Sequence, residues 1–191
     1  MKIEITPVVV LPDVSPLIHL AAVARLPLLQ AFGRVIVMDM VAQEASEDAT
    51  KAWAREIAAW LAKGQKPGTN NPVEIARTEI GEAYRLARQA NPGFRMQKAG
   101  ERAIRDWLVE SLSEVAGPAL VIYEDNRVPR LIQRERLDNA VVVATTRAVL
   151  TFAEERGLIE SAEAVWNNII VRAAGANPKR DVKVIRPIRE S

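Results

Sequence analysis

The chain has 191 residues, of which 49% are hydrophobic and 26% are charged, and this balance is typical of a globular protein with one hydrophobic core. It has no cysteine and a single histidine, which excludes disulfides, thiolate nucleophiles and any metal site that needs two imidazoles. The formal charge is +2, but residues 127–191 carry twelve Lys and Arg against eight Asp and Glu, so positive charge concentrates in the C-terminal third.

Two further classes are disfavoured by composition. No apolar run reaches the roughly 18 residues that a membrane-spanning helix needs, and an acid and a proline interrupt the N-terminus, so we expect a cytoplasmic protein without membrane contact. Aromatic residues make up only 5% of the chain, which argues against a platform for stacking nucleic-acid bases. Contact with nucleic acid would depend on charge instead.

In the first part of the chain, predicted strands and helices alternate. The predicted elements are a strand over 3–12, a helix over 16–29 interrupted near Pro27, a strand over 35–38, one helix over 40–63, a loop over 64–72 and a strand over 73–76. The helix over 40–63 is predicted from apolar residues at helical spacing, with a glycine at its end.

The second part continues the alternation. The predicted elements are a helix around 80–87 that breaks at 91–93, a helix over 97–115, a strand over 119–123, a basic helix over 127–136, a short apolar piece over 140–144, helices over 145–156 and 160–174, and a candidate edge strand over 181–186. Such alternation predicts a three-layer α/β/α sandwich with a central parallel sheet. We expect one domain over 1–175 and a basic C-terminal tail over 176–191.

Four separated acids are the strongest candidates for a shared site. Asp13 and Asp125 follow predicted strands, and Glu44 and Glu101 lie near the starts of predicted helices. Since function gathers at the C-terminal edge of a parallel sheet, we expect these carboxylates to converge. Carboxylates suit Mg²⁺ or Mn²⁺, which polarise a phosphodiester and activate bound water.

Several single residues also have alternative interpretations. Asp13 is equally suited to capping the following helix, and most acids are solvated surface charges. His19 is expected to be a packing residue more often than a proton shuttle. Asp39, Asp106 and Glu124 are alternative acids near the proposed ligands, and the basic helix residues are most simply a solvated face. The four tryptophans are expected in the core or at a dimer interface.

Several segments resemble the PIN-domain family of ribonucleases. Asp13-Val14-Ser15-Pro16-Leu17-Ile18 resembles its opening signature, a strand followed by D-x-S-P-L-I, and Val41 with Glu44 resembles its V-x-x-E helix start. Gly100-Glu101-Arg102-Ala103-Ile104 resembles its G-E-x-x-A-I segment. Residues 121–125 followed by Arg130 resemble its hydrophobic strand that ends in an aspartate. Either Glu124 or Asp125 could match that aspartate, and Asp125 is favoured because the family's arginine five residues later then falls at Arg130. Residues 145–150 and 156–159 resemble the closing motifs of a PIN subfamily.

The resemblance implies a PIN-like fold and a Mg²⁺- or Mn²⁺-dependent endoribonuclease, often the toxin of a toxin–antitoxin pair. It implies that Asp13, Glu44, Glu101 and Asp125 hold the metal and position the attacking water, with Ser15 or Thr146 in support. Phosphate contacts to RNA are implied for the basic residues Arg127, Arg130, Arg134 and Arg147. The implied partners are RNA, a small antitoxin protein and a second copy of the chain in a homodimer.

Two other hypotheses differ from the ribonuclease. The intervals from Glu44 to Glu101 and from Glu101 to Asp125 are longer than in the family, which would allow a PIN-like protein that has lost catalysis and acts as a binding or regulatory partner. A nucleotide-binding α/β protein is disfavoured, because the sequence has no glycine-rich phosphate loop.

Overall fold

Runs of aliphatic and β-branched residues form the strands of a central sheet. The computed structural model describes residues 7–70, 72–125, 127–137, 140–173, 175–177, 179 and 182–185. Within these ranges the strands are β1 Val9–Pro12, β2 Arg34–Met38, β3 Val73–Ala76, β4 Ala119–Tyr123, β5 Val141–Thr145 and β6 Val184–Ile185. Every residue of β1, β4 and β5 is buried, as expected for strands covered on both faces.

The order of the strands is β3-β2-β1-β4-β5-β6. The first five are parallel, and β6 pairs antiparallel with β5 through Val143 and Ile185. The chain first moves outward from β1 to β2 and β3, then crosses back over β1 to β4 and continues to β5. The space between the ends of β1 and β4 is therefore the topological switch point of the sheet.

Helices cover both faces of the sheet. Those in the described ranges are α1 Val14–Ala22, α2 Asp39–Ser46, α3 Ala52–Gly64, α4 Glu79–Ala90, α5 Ala99–Ser111, α6 Arg127–Arg134, α7 Thr146–Glu155 and α8 Ala162–Arg172, with short 3₁₀ helices at Leu26–Ala31 and Leu112–Glu114. Helix α1 packs against α3 and α8, and α5 packs against α4 and α6. The rule that parallel strands are joined by right-handed crossovers assigns α1 and α3 to one face and α4 to α6 to the other, in agreement with these helix contacts. The predicted three-layer α/β/α sandwich is confirmed.

The single helix predicted over 40–63 is wrong, because the structure has two helices there. Helix α2 ends at Ser46 and α3 begins at Ala52. Between them the Asp48 carboxylate accepts hydrogen bonds from the Thr50 amide at 3.1 Å and the Thr50 hydroxyl at 2.5 Å. This local bonding of an aspartate to the chain two residues later competes with helix formation and turns the backbone.

Smaller differences concern the ends of elements. The first strand begins at Val9, later than predicted, and residues 3–6 of the prediction lie outside the described residues. Helix α6 ends at Arg134 instead of Arg136, whose φ is 56°. The candidate edge strand is observed at Val184–Ile185, and positions 181 and 186 lie outside the described part. No helix of that part combines the length and apolar character needed to cross a membrane.

Candidate functional site

Polar residues follow all five parallel strands at the same edge of the sheet. Asp39 follows β2, Asp13 follows β1, Glu124 and Asp125 follow β4, Thr146 follows β5, and Thr78 lies two residues beyond β3. Asp13 and the Glu124-Asp125 pair lie at the ends of β1 and β4. They are therefore at the switch point, where open α/β sheets bind their ligands.

Asp13 is anchored to β4 and buried. Its amide donates to the Ile122 carbonyl oxygen at 2.9 Å, and only 9% of the residue is exposed. The alternative in which its side chain caps α1 is not observed, because that side chain makes no capping hydrogen bond. Burial raises the pKa of Asp13 from its usual 3.8 to about 6, against the lowering effect of the Val14 amide. The charges of Glu101, Glu44 and Asp125 contribute to this rise, so the four acids share one electrostatic environment.

Glu44 and Glu101 approach Asp13 where α1, α2 and α5 meet. The Gly100 amide at the start of α5 donates to Glu44 Oε1 at 3.3 Å. A Cβ on Gly100 would lie 3.1 Å from Val41 Cγ2 and 3.3 Å from Glu44 Oε2, so a glycine allows this close approach. Glu101 follows directly in the first turn of α5.

Glu44 is itself electrostatically perturbed. The residue as a whole is exposed, but its carboxylate lies against the protein at the Gly100 amide. Withdrawal of this carboxylate from solvent raises the pKa of Glu44, the Gly100 hydrogen bond lowers it, and the charges of Glu101 and Glu47 raise it. The charge of Glu101 thus disfavours the ionised forms of both Asp13 and Glu44.

Asp125 and Glu124 point in different directions. Asp125 Oδ1 accepts from the Arg127 amide at 3.0 Å, and Oδ2 lies 3.6 Å from Arg127 Nε, with 44% of the side chain exposed. The Glu124 side chain is only 14% exposed, and its Oε1 accepts from the Thr146 amide at 3.0 Å. Burial is the main reason that the pKa of Asp13 is raised, and the charge of Asp125 adds to the rise after those of Glu101 and Glu44. This geometry favours Asp125 over Glu124 as the fourth acid.

The other alternative acids are engaged in structural contacts. Asp39 accepts hydrogen bonds from the Thr78 hydroxyl at 2.8 Å and from Arg85 Nη1 at 2.9 Å. Asp106 pairs with Arg105 Nη1 at 3.0 Å. The contacts of Asp39 join α2 to α4, whereas Asp106 pairs with its own neighbour in α5. Neither replaces one of the four acids.

The supporting residues differ in how they are placed. Thr146 is fully buried, and within the described chain no group forms a hydrogen bond with its Oγ1. Ser15 is half-buried in the first turn of α1. Among the basic candidates, Arg127 pairs with Asp125 and Arg134 Nη2 with Glu135 at 3.3 Å, Arg130 is exposed, and Arg147 is half-buried in the first turn of α7. The structure therefore places Arg127 beside the acids, whereas Arg134 is held by another partner.

The four acids fit a divalent metal by chemistry more than by present geometry. All are hard oxygen ligands of the kind that Mg²⁺ and Mn²⁺ prefer, and their mutual repulsion is relieved by a cation. However, no group of three or more His, Asp and Glu side chains among the described residues is arranged to hold a metal ion. Glu44 accepts a hydrogen bond from the Gly100 amide, and Asp125 lies against Arg127.

Two features of the site were not predicted from the sequence. The first is the Glu124–Thr146 hydrogen bond with His19 beside it, for which the adjacent acids Glu124-Asp125 are the only local signal. The second is the Gly100–Glu44 contact, which joins residues that lie 56 positions apart. A groove of about 460 Å³ lies elsewhere, between the end of α1, the start of α3 and Arg172.

The chain matches no model of a protein family, no curated protein and no solved structure. The likeness of its motifs to the PIN-domain family therefore stays a prediction from the sequence.

Proposed function

We propose that this chain is a Mg²⁺- or Mn²⁺-dependent endoribonuclease of the PIN type that hydrolyses RNA phosphodiester bonds. The observation that carries the proposal is the position of Asp13 and Asp125 at the switch point of the sheet, within one electrostatic cluster with Glu44 and Glu101. A pKa of about 6 for a buried aspartate is the kind of perturbation that marks functional sites.

In this function the chain supplies the ligands and their electrostatics. A divalent cation, when bound, polarises the phosphodiester and lowers the pKa of a coordinated water. Asp13, Glu44, Glu101 and Asp125 would hold it, and Asp13 must first lose its proton. The buried Thr146 would support the cluster from the start of α7, and Ser15 from the start of α1.

Basic residues near this edge would position RNA. Arg127 and Arg130 lie on α6, which starts beside Asp125, and Arg147 lies in the first turn of α7. Arginines in such places contact phosphates without reading sequence, and their contribution falls as salt rises. Arg134 would join them after release from Glu135.

The motif resemblance extends the proposal to the biological setting. It supports the toxin of a toxin–antitoxin pair, active in the cytoplasm as a homodimer and restrained by a small antitoxin protein. RNA would be the substrate in this setting.

Cleavage of a labelled single-stranded RNA tests the proposal. We expect Mn²⁺- or Mg²⁺-dependent cleavage that falls at least about 100-fold in Asp13→Asn. A bound metal ion stabilises the transition state by several kcal/mol, and the variant lacks one of its proposed ligands. Asp106→Asn is the matched control, since Asp106 pairs with Arg105, and we expect it to cleave within about threefold of wild type. Equal activity in wild type and Asp13→Asn would exclude the four-acid site.

A second candidate function is a PIN-like binding or regulatory protein without catalysis. The observation that favours it is the absence, among described residues, of three acids already arranged around a metal position. Calorimetry with Mn²⁺ separates the two candidates. No heat of binding together with no cleavage would favour the inactive protein.

A further inference from the structure

The adjacent acids Glu124 and Asp125 divide between the interior and the surface. Both follow β4, whose last residue Tyr123 is fully buried and pairs with Thr145 of β5. The Glu124 side chain is 14% exposed, compared with 44% for Asp125. Glu124 is thus turned toward the interior, and Asp125 toward the solvent.

Glu124 contacts the first turn of one helix and the interior of another. Its Oε1 accepts from the amide of Thr146, the first residue of α7, and lies 3.8 Å from Nδ1 of His19 in α1. A carboxylate at a helix N-terminus is favoured by the exposed amides and the helix dipole. The side chain of Glu124 therefore connects the end of β4 to two helices that begin at the candidate site.

His19 is itself firmly packed. Its side chain is 4% exposed, and its ring meets Trp166 of α8 edge-on, with the ring centroids 5.8 Å apart. Burial of this kind makes it unsuitable for contact with a substrate. His19 instead packs beside the Glu124 carboxylate.

We propose that Glu124 is a positioning residue of the candidate metal site, which fixes the turn after β4 so that Asp125 faces Asp13. The inference rests on the proposed function. The backbone just before this turn is held by the Asp13 amide on Ile122 and by the pairing of Tyr123 with Thr145. The bond from Glu124 to Thr146 extends that anchoring by one residue, directly to the neighbour of Asp125.

Removal of the Glu124 carboxylate and its replacement by an amide are expected to have different consequences. Glu124→Ala leaves the buried Thr146 amide without this acceptor and releases the turn. Glu124→Gln retains an amide oxygen that accepts the same hydrogen bond. Glu124→Met keeps the side-chain volume without an acceptor and replaces the alanine variant if that variant does not fold. Glu135→Ala is the control, since Glu135 pairs with Arg105 away from these contacts.

Two measurements on the full chain test the proposal. The Mn²⁺ dissociation constant from calorimetry is expected to rise about 10- to 100-fold in Glu124→Ala and to stay within about threefold in Glu124→Gln and Glu135→Ala. Exchange of the Thr146 amide in metal-free protein, followed by NMR, is expected to accelerate on the order of tenfold or more in Glu124→Ala and to remain slow in Glu124→Gln.

The outcomes separate this inference from the proposed function. If wild type binds Mn²⁺ and Glu124→Ala binds it equally well, the positioning role is overturned while the proposed function stands. Equal weakening in Glu124→Gln and Glu124→Ala would also overturn it, because charge and not the hydrogen bond would then matter. If wild type binds no Mn²⁺, both proposals fail, whatever the Thr146 amide does.

Discussion

At the scale of single residues, the buried Asp13 links pH to folding. Its pKa of about 6 in the folded chain lies above its usual 3.8, so the folded state binds a proton more tightly than the unfolded state. The stability that this proton supplies is fully present below about pH 4 and is lost as pH rises through about 6. A shift of this size corresponds to roughly 3 kcal/mol, since each pKa unit equals about 1.4 kcal/mol.

Asp13→Asn is predicted to remove this dependence. In metal-free buffer the variant should gain stability relative to wild type as pH rises from about 4 to 7, by up to roughly 3 kcal/mol, because asparagine does not ionise. Urea unfolding at several pH values measures the difference. Asp106→Asn should show no such trend. If the difference in the free energy of unfolding between Asp13→Asn and wild type did not change with pH, the burial of Asp13 and its repulsion by the other acids would be contradicted.

The acids differ in how far sequence alone could place them. Asp13 and Asp125 could be expected at one edge, because the C-terminal ends of parallel strands share that edge. The contact of Asp125 with Arg127 is local, but the contact that turns Glu124 inward is with Thr146, 22 positions away, and local sequence does not encode it. The Glu44–Gly100 contact is likewise a product of packing between two helices.

At the scale of elements, the sequence pattern predicts the ranges of strands better than the turns between helices. The range of β4 agrees with the predicted 119–123, because an apolar run that follows Gly117-Pro118 is a strong local signal. The range of β3 also agrees with the predicted 73–76, although Glu74 interrupts its apolar residues and the pattern there is weak. The break between α2 and α3 was missed, because helical spacing continues across Asp48 and Thr50. Their hydrogen bonds outweigh the propensity of the surrounding alanines.

At the start of α4, replacement of a glycine by alanine is predicted to destabilise the protein, which is the opposite of its usual effect in a helix. Alanine generally stabilises a helix interior by up to about 1 kcal/mol relative to glycine. At Gly81, however, a Cβ would overlap the Asp39 carboxylate, which is fixed by Thr78 and Arg85. Gly81→Ala should therefore destabilise the protein by about 1–3 kcal/mol in urea unfolding.

Gly93 provides the control for this prediction. A Cβ there would meet only the Asn91 Oδ1 at 3.4 Å, an ordinary contact distance. Gly93→Ala should change the free energy of unfolding by less than about 1 kcal/mol. If Gly81→Ala were as stable as wild type, Asp39 would not be held against α4 as the hydrogen bonds indicate.

At the scale of the whole molecule, a bound cation should stabilise the fold, because the repelling carboxylates come from α2, α5 and the ends of β1 and β4. At a Mn²⁺ concentration about 100 times the dissociation constant, binding to the folded state alone contributes about 2.7 kcal/mol. For a chain of this size each kcal/mol shifts the Tm by roughly 2–4 °C, so a rise of about 5–10 °C is expected at pH 7.5.

The pH dependence and the variants identify where that cation binds. At pH 5 the rise in Tm should shrink, because Asp13 must release its proton before it binds a metal. Asp13→Asn should lose most of the rise at pH 7.5, whereas Asp106→Asn should keep it. An equal rise in Asp13→Asn and wild type would mean that Mn²⁺ binds the folded chain elsewhere. A rise that depends on Asp13 would instead tie the stability of the whole sandwich to the switch point between β1 and β4.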